Sequence, residues 1–276
     1  MLRDLLVPIF GSDADAASVA AGIALANAYA AHFVGVMPAP CLTASQAPWG
    51  MTSPGLIDAL IEEQKHTARA HVAVLREQLQ LQRVESWDVR TETSRLAVPG
   101  AAAAMQARHA DLSVMRAPGP GEPDDREAEM FHALLFESGR PVLVVPARGD
   151  ITAPFRKVVA AWKNTKEATR ALHDAVTLFA PNAIEVLVVD HPDESAEAPG
   201  ASMAAHLARY GAHVEVAMRR SNTKSIATTV LLQAAEQGAD LVVAGGYGHS
   251  RVREWVLGGT TRDLLRHVDI PILFSH

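Results

Sequence analysis

The residues from Asp240 to Thr261 are the ones whose types and spacing could bind an anion. Leu241 to Ala244 is an apolar run of strand length that ends in glycines at 245, 246 and 248, and two more follow at Gly258 and Gly259. Glycines just past a strand let the chain turn with φ > 0 and bring backbone N–H groups up to an anion with no Cβ in the way. Gly259 leads into Thr260-Thr261-Arg262-Asp263-Leu264-Leu265, which reads as a helix start with Thr260 as N-cap and Asp263 reaching back. A helix N-terminus preceded by glycines attracts anions through free N–H groups and its dipole. Donors at Gly245, Gly248, His249 and Ser250 would therefore close with Gly258, Gly259, Thr260 and Thr261 on one phosphate chain. The plainer reading is that these glycines only make tight turns at the end of a parallel strand.

Other chemistry is hard to find. The twelve histidines never take a spacing such as His-Glu-x-x-His, and His66 and His71 point apart on a helix. There is no Gly-x-Ser-x-Gly elbow, no Gly-x4-Gly-Lys-Ser/Thr and no Gly-x-Gly-x-x-Gly. The carboxylate pairs Glu62/Glu63, Asp124/Asp125 and Asp193/Glu194 are chain neighbours and do not converge as an acid–base dyad. His249 and His267 flank the glycine stretch and Arg251 and Arg253 lie in its spacer; each either touches phosphate or is a solvated side chain. Lys163, after the first strand of the second half, is open in the same way: it either reaches a phosphate as a point charge or stays in solvent. Nothing identifies a nucleophile or a general base, and no metal site is expected.

The chain has 276 residues, 49% hydrophobic and 20% charged, with a formal net charge of −6 and a pI near 6.0. That suits a soluble globular protein of one large or two smaller domains, and favours neither nucleic acid nor an anionic membrane as partner. Cys41 is the single cysteine, so no intrachain disulfide can form. No signal peptide or apolar span long enough for a membrane is expected, and the cytoplasm is the default location.

The glycine stretch belongs to the second of two copies of one pattern. Strand candidates at 5–10, 33–37, 87–91, 112–115 and 141–145 alternate with helix candidates at 13–31, 56–81, 97–110 and 130–136. The order then restarts, with strands at 157–162, 184–189, 213–218, 241–244 and 270–274 and helices at 166–179, 203–210, 226–237 and 261–267. Ala110-Asp111-Leu112 returns as Ala239-Asp240-Leu241, and Arg140-Pro141-Val142-Leu143-Val144 as Ile270-Pro271-Ile272-Leu273-Phe274, at offsets of 129 and 130 residues. Two such units predict an α/β protein of two doubly wound, parallel-sheet domains, 1–148 and 155–276, joined by the linker 147–154. In the first unit Arg116-Ala117-Pro118-Gly119-Pro120 stands against the glycines. There Pro120 removes a donor, and Glu129 at the helix start, with Glu122, Asp124, Asp125 and Glu127 nearby, would repel phosphate. That acidic loop is equally readable as a solvated surface.

Gly245-x2-Gly248-x9-Gly258, together with the repeat, resembles the universal stress protein family in tandem, two-domain form. The resemblance implies Rossmann-like domains of the adenine-nucleotide α-hydrolase type, packed as a pseudo-dimer through 141–145 and 270–274, and one ATP, with or without Mg²⁺, in the second half. It also implies that adenine lies along the second strand of that half, near Val188 and Val189. Two positions depart from the family pattern. Gly259 stands where Ser or Thr is usual, and Phe10 and Lys163 stand where an Asp contacts the nucleoside. The function implied is a nucleotide-responsive stress regulator with an unknown protein partner and room for a further homodimer, not a dedicated enzyme beyond slow ATP hydrolysis. The alternatives are a nucleotide-free interaction scaffold and a weak adenine-nucleotide hydrolase.

Overall fold

The computed structural model describes residues 1–13, 15–38, 54–92, 99–117, 125–148, 151–190, 199–222, 224–247 and 259–276. The first half runs β1 (Asp4–Pro8), α1 (Asp15–Tyr29), β2 (His32–Pro38), α2 (Pro54–Leu81), β3 (Trp87–Glu92), α3 (Pro99–Ala107), β4 (Leu112–Arg116), α4 (Asp125–Glu137) and β5 (Val142–Val145). The second repeats it as β6 (Lys157–Ala161), α5 (Lys166–Phe179), β7 (Ala183–Val189), α6 (Ala201–Ala208), β8 (His213–Arg219), α7 (Ile226–Gln237), β9 (Leu241–Gly245), α8 (Gly259–Arg266) and β10 (Ile272–Ser275). The stretch 39–53, which contains Trp49, and residues 191–198 lie outside the described residues. On α2, Val72, Leu75 and Leu79 are buried and Val74 is exposed.

The ten strands among the described residues join one sheet, ordered β3-β2-β1-β4-β5-β10-β9-β6-β7-β8. Every adjacent pair is parallel except β5 with β10, where Val144, Leu143 and Val142 face Ile272, Leu273 and Phe274. The two closing strands therefore do meet, and they do so edge to edge. Their apolar residues are fully buried because helices cover both faces of the seam, as near-continuous apolar runs in central strands require. Phe131 of α4 packs edge-on against Phe274 across it, with centroids 5.5 Å apart. The Tyr29 hydroxyl also accepts the N–H of Phe155 at 3.0 Å. Cleavage between 147 and 154 should therefore leave one body: after limited proteolysis the fragments should co-elute on gel filtration. Two separate, stable monomers would contradict the seam.

The repeated Asp has a structural role. Asp111 accepts the N–H groups of Arg3 and Asp4, and Asp240 those of Arg156 and Lys157, all at 2.8–3.3 Å. Each carboxylate pins the entry of one central strand to its neighbour and satisfies donors that the ladder leaves over.

Candidate functional site

In the second half the chain moves outward from β6 to β7 and β8, then returns to β9 on the other side of β6. The crevice past the carboxyl ends of β6 and β9 is thus the point where strand order reverses, the usual ligand position in an open α/β sheet. Helix α5 begins there. Thr165 is its N-cap, extended, with Oγ1 accepting the Ala168 N–H at 3.3 Å. Glu167 in its first turn is buried. Burial alone would raise its carboxyl, but hydrogen bonds from its own N–H, Thr165 and Lys166 outweigh that and hold it below the usual range.

Gly245 ends β9, and a Cβ placed on it would stand 2.6 Å from Ala168 N and 2.8 Å from Glu167 C. The glycine is there so that α5 can press its first turn onto the strand. Gly246 donates to Ser275 O at 2.8 Å, and its Cβ would meet Leu135 Cδ2, from the first half, at 2.8 Å. Neither glycine has a positive φ; the left-handed residue is Tyr247, at φ 56°. This corrects the expectation that Gly245 and Gly246 supply the turn. Tyr247 is held in that conformation from three sides. Its hydroxyl lies 2.8 Å from His132 Nε2, its N–H donates to Thr261 Oγ1 at 3.4 Å, and its ring packs on Phe136 with centroids 5.1 Å apart.

Helix α8 opens at Gly259, so Thr260 sits inside its first turn and is not the N-cap expected from sequence. Asp263 lies within the helix, where its carbonyl pairs with His267 Nδ1 at 3.0 Å. Thr261 is buried against Tyr247, Thr260 is half-exposed, and Gly259 is exposed, with nothing among the described residues within 4 Å of a built Cβ. Gly248, His249, Ser250 and Gly258, with Arg251 and Arg253, lie outside the described residues. Lys163 is exposed just past β6, and its carbonyl accepts the Thr165 N–H at 2.7 Å. Val189 ends β7 half-buried, beside the buried Val188. Two surface cavities of about 260 and 250 Å³ lie elsewhere, beside the end of β8 with α7 and where Met1 and Arg140 approach α5.

The matching crevice of the first half, between β1 and β4, is filled by the protein's own charges. Asp15 is buried and its carboxylate takes the N–H groups of Phe10, Gly11 and Ser12 at 2.7–3.2 Å. Aligning Phe10 with Lys163 puts Ala168 at the place of Asp15, and the buried carboxylate of the second half stands one residue earlier, at Glu167. Arg116, at the end of β4, is ion-paired with the buried Glu127 of α4. Glu127 is thus matched by a cation, contrary to the reading of this segment as uniformly repelling. Helix α4 starts at Asp125, which moves Glu129 off the helix start into the second turn, where it is exposed. Sequence reasoning did not single out Asp15, although its donors lie only three to five residues before it, nor the contribution of α4 to the other half, which has no local signature.

The half-buried His132 ring resists protonation, since burial lowers its pKa below the ordinary 6.5. A histidine depressed in the fold binds protons more readily when unfolded, so stability is lost as pH falls below 6.5 toward the folded value. The lead in melting temperature of the parent over His132→Gln should therefore shrink between pH 7 and 5; a lead that grows on acidification would contradict the burial argument.

Among the described residues no three His, Cys, Asp or Glu side chains could hold a metal ion, and no helix is long and apolar enough to cross a membrane. No curated protein sequence matches the chain. A universal stress protein from Archaeoglobus fulgidus DSM 4304 has the same fold, with a TM-score of 0.72 at 17% identity, over 99% of this chain and 96% of that one. A Pseudomonas aeruginosa UCBPP-PA14 protein assigned to the same family follows at 0.58 and 16%, over 99% and 93%. The family model for universal stress proteins matches residues 154–276. With the reversal crevice in those residues and the fold shared along the whole chain, residues 154–276 belong to the universal stress protein family, set in a chain with that family's α/β architecture throughout.

Proposed function

We propose that the second half binds one adenine nucleotide per chain, ATP with or without Mg²⁺, in the crevice between β6 and β9, and that the protein is a nucleotide-responsive stress regulator. The observation that carries this reading is the difference between the two crevices. The first is closed by the Asp15 carboxylate and the Arg116–Glu127 pair, whereas the second has Ala168 for Asp15, an exposed Gly259 and a half-exposed Thr260 at the start of α8. The residues fit a phosphate chain: the N-termini of α5 and α8 both open at this end of the sheet, where helix dipoles favour an anion. Gly259 and Thr260 would hold phosphate, Lys163 would add a positive charge, and Val188 and Val189 would line the base. A bound triphosphate supplies a labile γ-phosphoryl group, but among the described residues no side chain is placed to orient water toward it, so turnover is expected to be slow at most.

One observation favours a second reading, a nucleotide-free scaffold. Glu167 brings a buried carboxylate to the first turn of α5, and the Thr261 hydroxyl is already engaged by Tyr247. Calorimetry with ATP and Mg²⁺ on the intact chain separates the two. A single site per chain is expected; two equivalent sites, or none, would defeat the proposal.

A further inference from the structure

We propose that the first half is a working part of the candidate nucleotide site: His132 and Phe136 of α4 act as positioning residues that set the turn at Tyr247. This rests on the reading of the second half as a nucleotide site. A residue with a Cβ disfavours φ near +56°, and a disfavoured conformation persists only where its surroundings over-determine it. Among the described residues, the surroundings of the Tyr247 side chain come largely from the other half of the molecule. Its hydroxyl meets His132 Nε2 at 2.8 Å, and its ring lies 5.6 Å from that of His132 and 5.1 Å from that of Phe136. One residue earlier, Leu135 packs against Gly246, where a Cβ would stand 2.8 Å from Leu135 Cδ2 and push that side chain aside. The end of β10 completes the enclosure: the ring of His276 meets Phe136 edge-on with centroids 4.7 Å apart, and its Nδ1 is 3.1 Å from Gly246 O.

The same turn joins the two helix N-termini of the crevice. Gly245 lies under the first turn of α5, and the Tyr247 N–H is bonded to Thr261 of α8 at 3.4 Å. Releasing Tyr247 from α4 lets it relax to a negative φ, which swings its N–H off Thr261 and unties the start of α8 from the end of β9. Gly259 and Thr260 then lose their fixed position relative to α5. A half whose own crevice is closed by Asp15 and the Arg116–Glu127 pair thus retains a task, which is to hold the geometry of its neighbour.

The test uses the full chain with His132→Leu, the milder Tyr247→Phe and the double variant, read by hydrogen exchange and by ATP calorimetry. Exchange in peptides covering 245–247 and 259–266 should rise about 10-fold in each single variant, with β1 and β2 unchanged. ATP affinity should fall about 5- to 10-fold, and the double variant should lose no more than either single one, since both cut the same link. Exchange that is unaltered at the turn, or raised evenly through the chain, overturns the proposal; Tyr247→Phe decides the matter if His132→Leu does not fold. A parent that binds no ATP defeats the nucleotide reading alone. The exchange result then still decides whether α4 holds the turn.

Discussion

Gly245→Ala should lower the stability of the folded chain by about 2–3 kcal/mol, the upper part of the range for forcing an extra carbon into a packed interior. The added Cβ would lie 2.6 Å from Ala168 N and 2.8 Å from Glu167 C. Both are backbone atoms in the first turn of α5, so no side chain can rotate out of the way. Helix α5 would have to move as a unit, against the Thr165 cap and a buried face that includes Ala171, Leu172, Ala175 and Val176. Interiors this dense transmit such a shift and do not absorb it. Gly259→Ala is the matched control. Among the described residues nothing lies within 4 Å of its built Cβ, and its φ is outside the left-handed region. Alanine there should leave stability equal or slightly raised, because it is a better helix former than glycine. Thermal or denaturant unfolding of the two variants checks the contrast, and equal stabilities would show that Gly245 is not a packing residue.

Gly259→Asp should separate fold from affinity. If Gly259 and Thr260 hold phosphate through the start of α8, a carboxylate at 259 puts a negative charge where the ligand's own charge belongs. The expected loss of ATP affinity is at least ~10-fold, about 1.4 kcal/mol. The melting temperature without ligand should barely change, since the position is exposed and an acidic residue suits a helix N-terminus. Gly259→Ser, which the backbone accepts without strain, should keep or strengthen binding. An Asp variant that binds ATP as well as the parent would make the glycine stretch a turn and leave the scaffold reading in place.

The elements of this fold follow from local pattern. Helices α5 and α7 begin and end where the sequence places them, at Lys166–Phe179 and Ile226–Gln237, because each has a capping hydroxyl before it, Thr165 and Ser225, and a left-handed residue after it, Ala180 and Gly238. The seam of β5 with β10 was legible too, since two apolar closing strands at matching places in a repeat would otherwise be exposed edges. The start of α4 was not. Its first turn is acidic and gives no apolar period, and only pairing with Arg116 explains why Glu127 turns inward.

The sequence by itself determined the repeat, the parallel α/β halves and the stretch in which an anion could bind, since these depend on residue periodicity and on glycine and cap chemistry within a few positions. Only the tertiary structure decided what each of those residues does. Gly245 answers to the backbone of α5 and Gly246 to Leu135 of the other half, while the positive φ falls on Tyr247, which carries a large side chain. That outcome could not be read locally, because the contacts that hold Tyr247 come from His132 and Phe136, more than a hundred residues earlier in the chain. Asp15 is a nearer case: it reads as an ordinary carboxylate at a helix start, and the turn just before it brings the N–H groups of Phe10, Gly11 and Ser12 onto it and closes the first crevice.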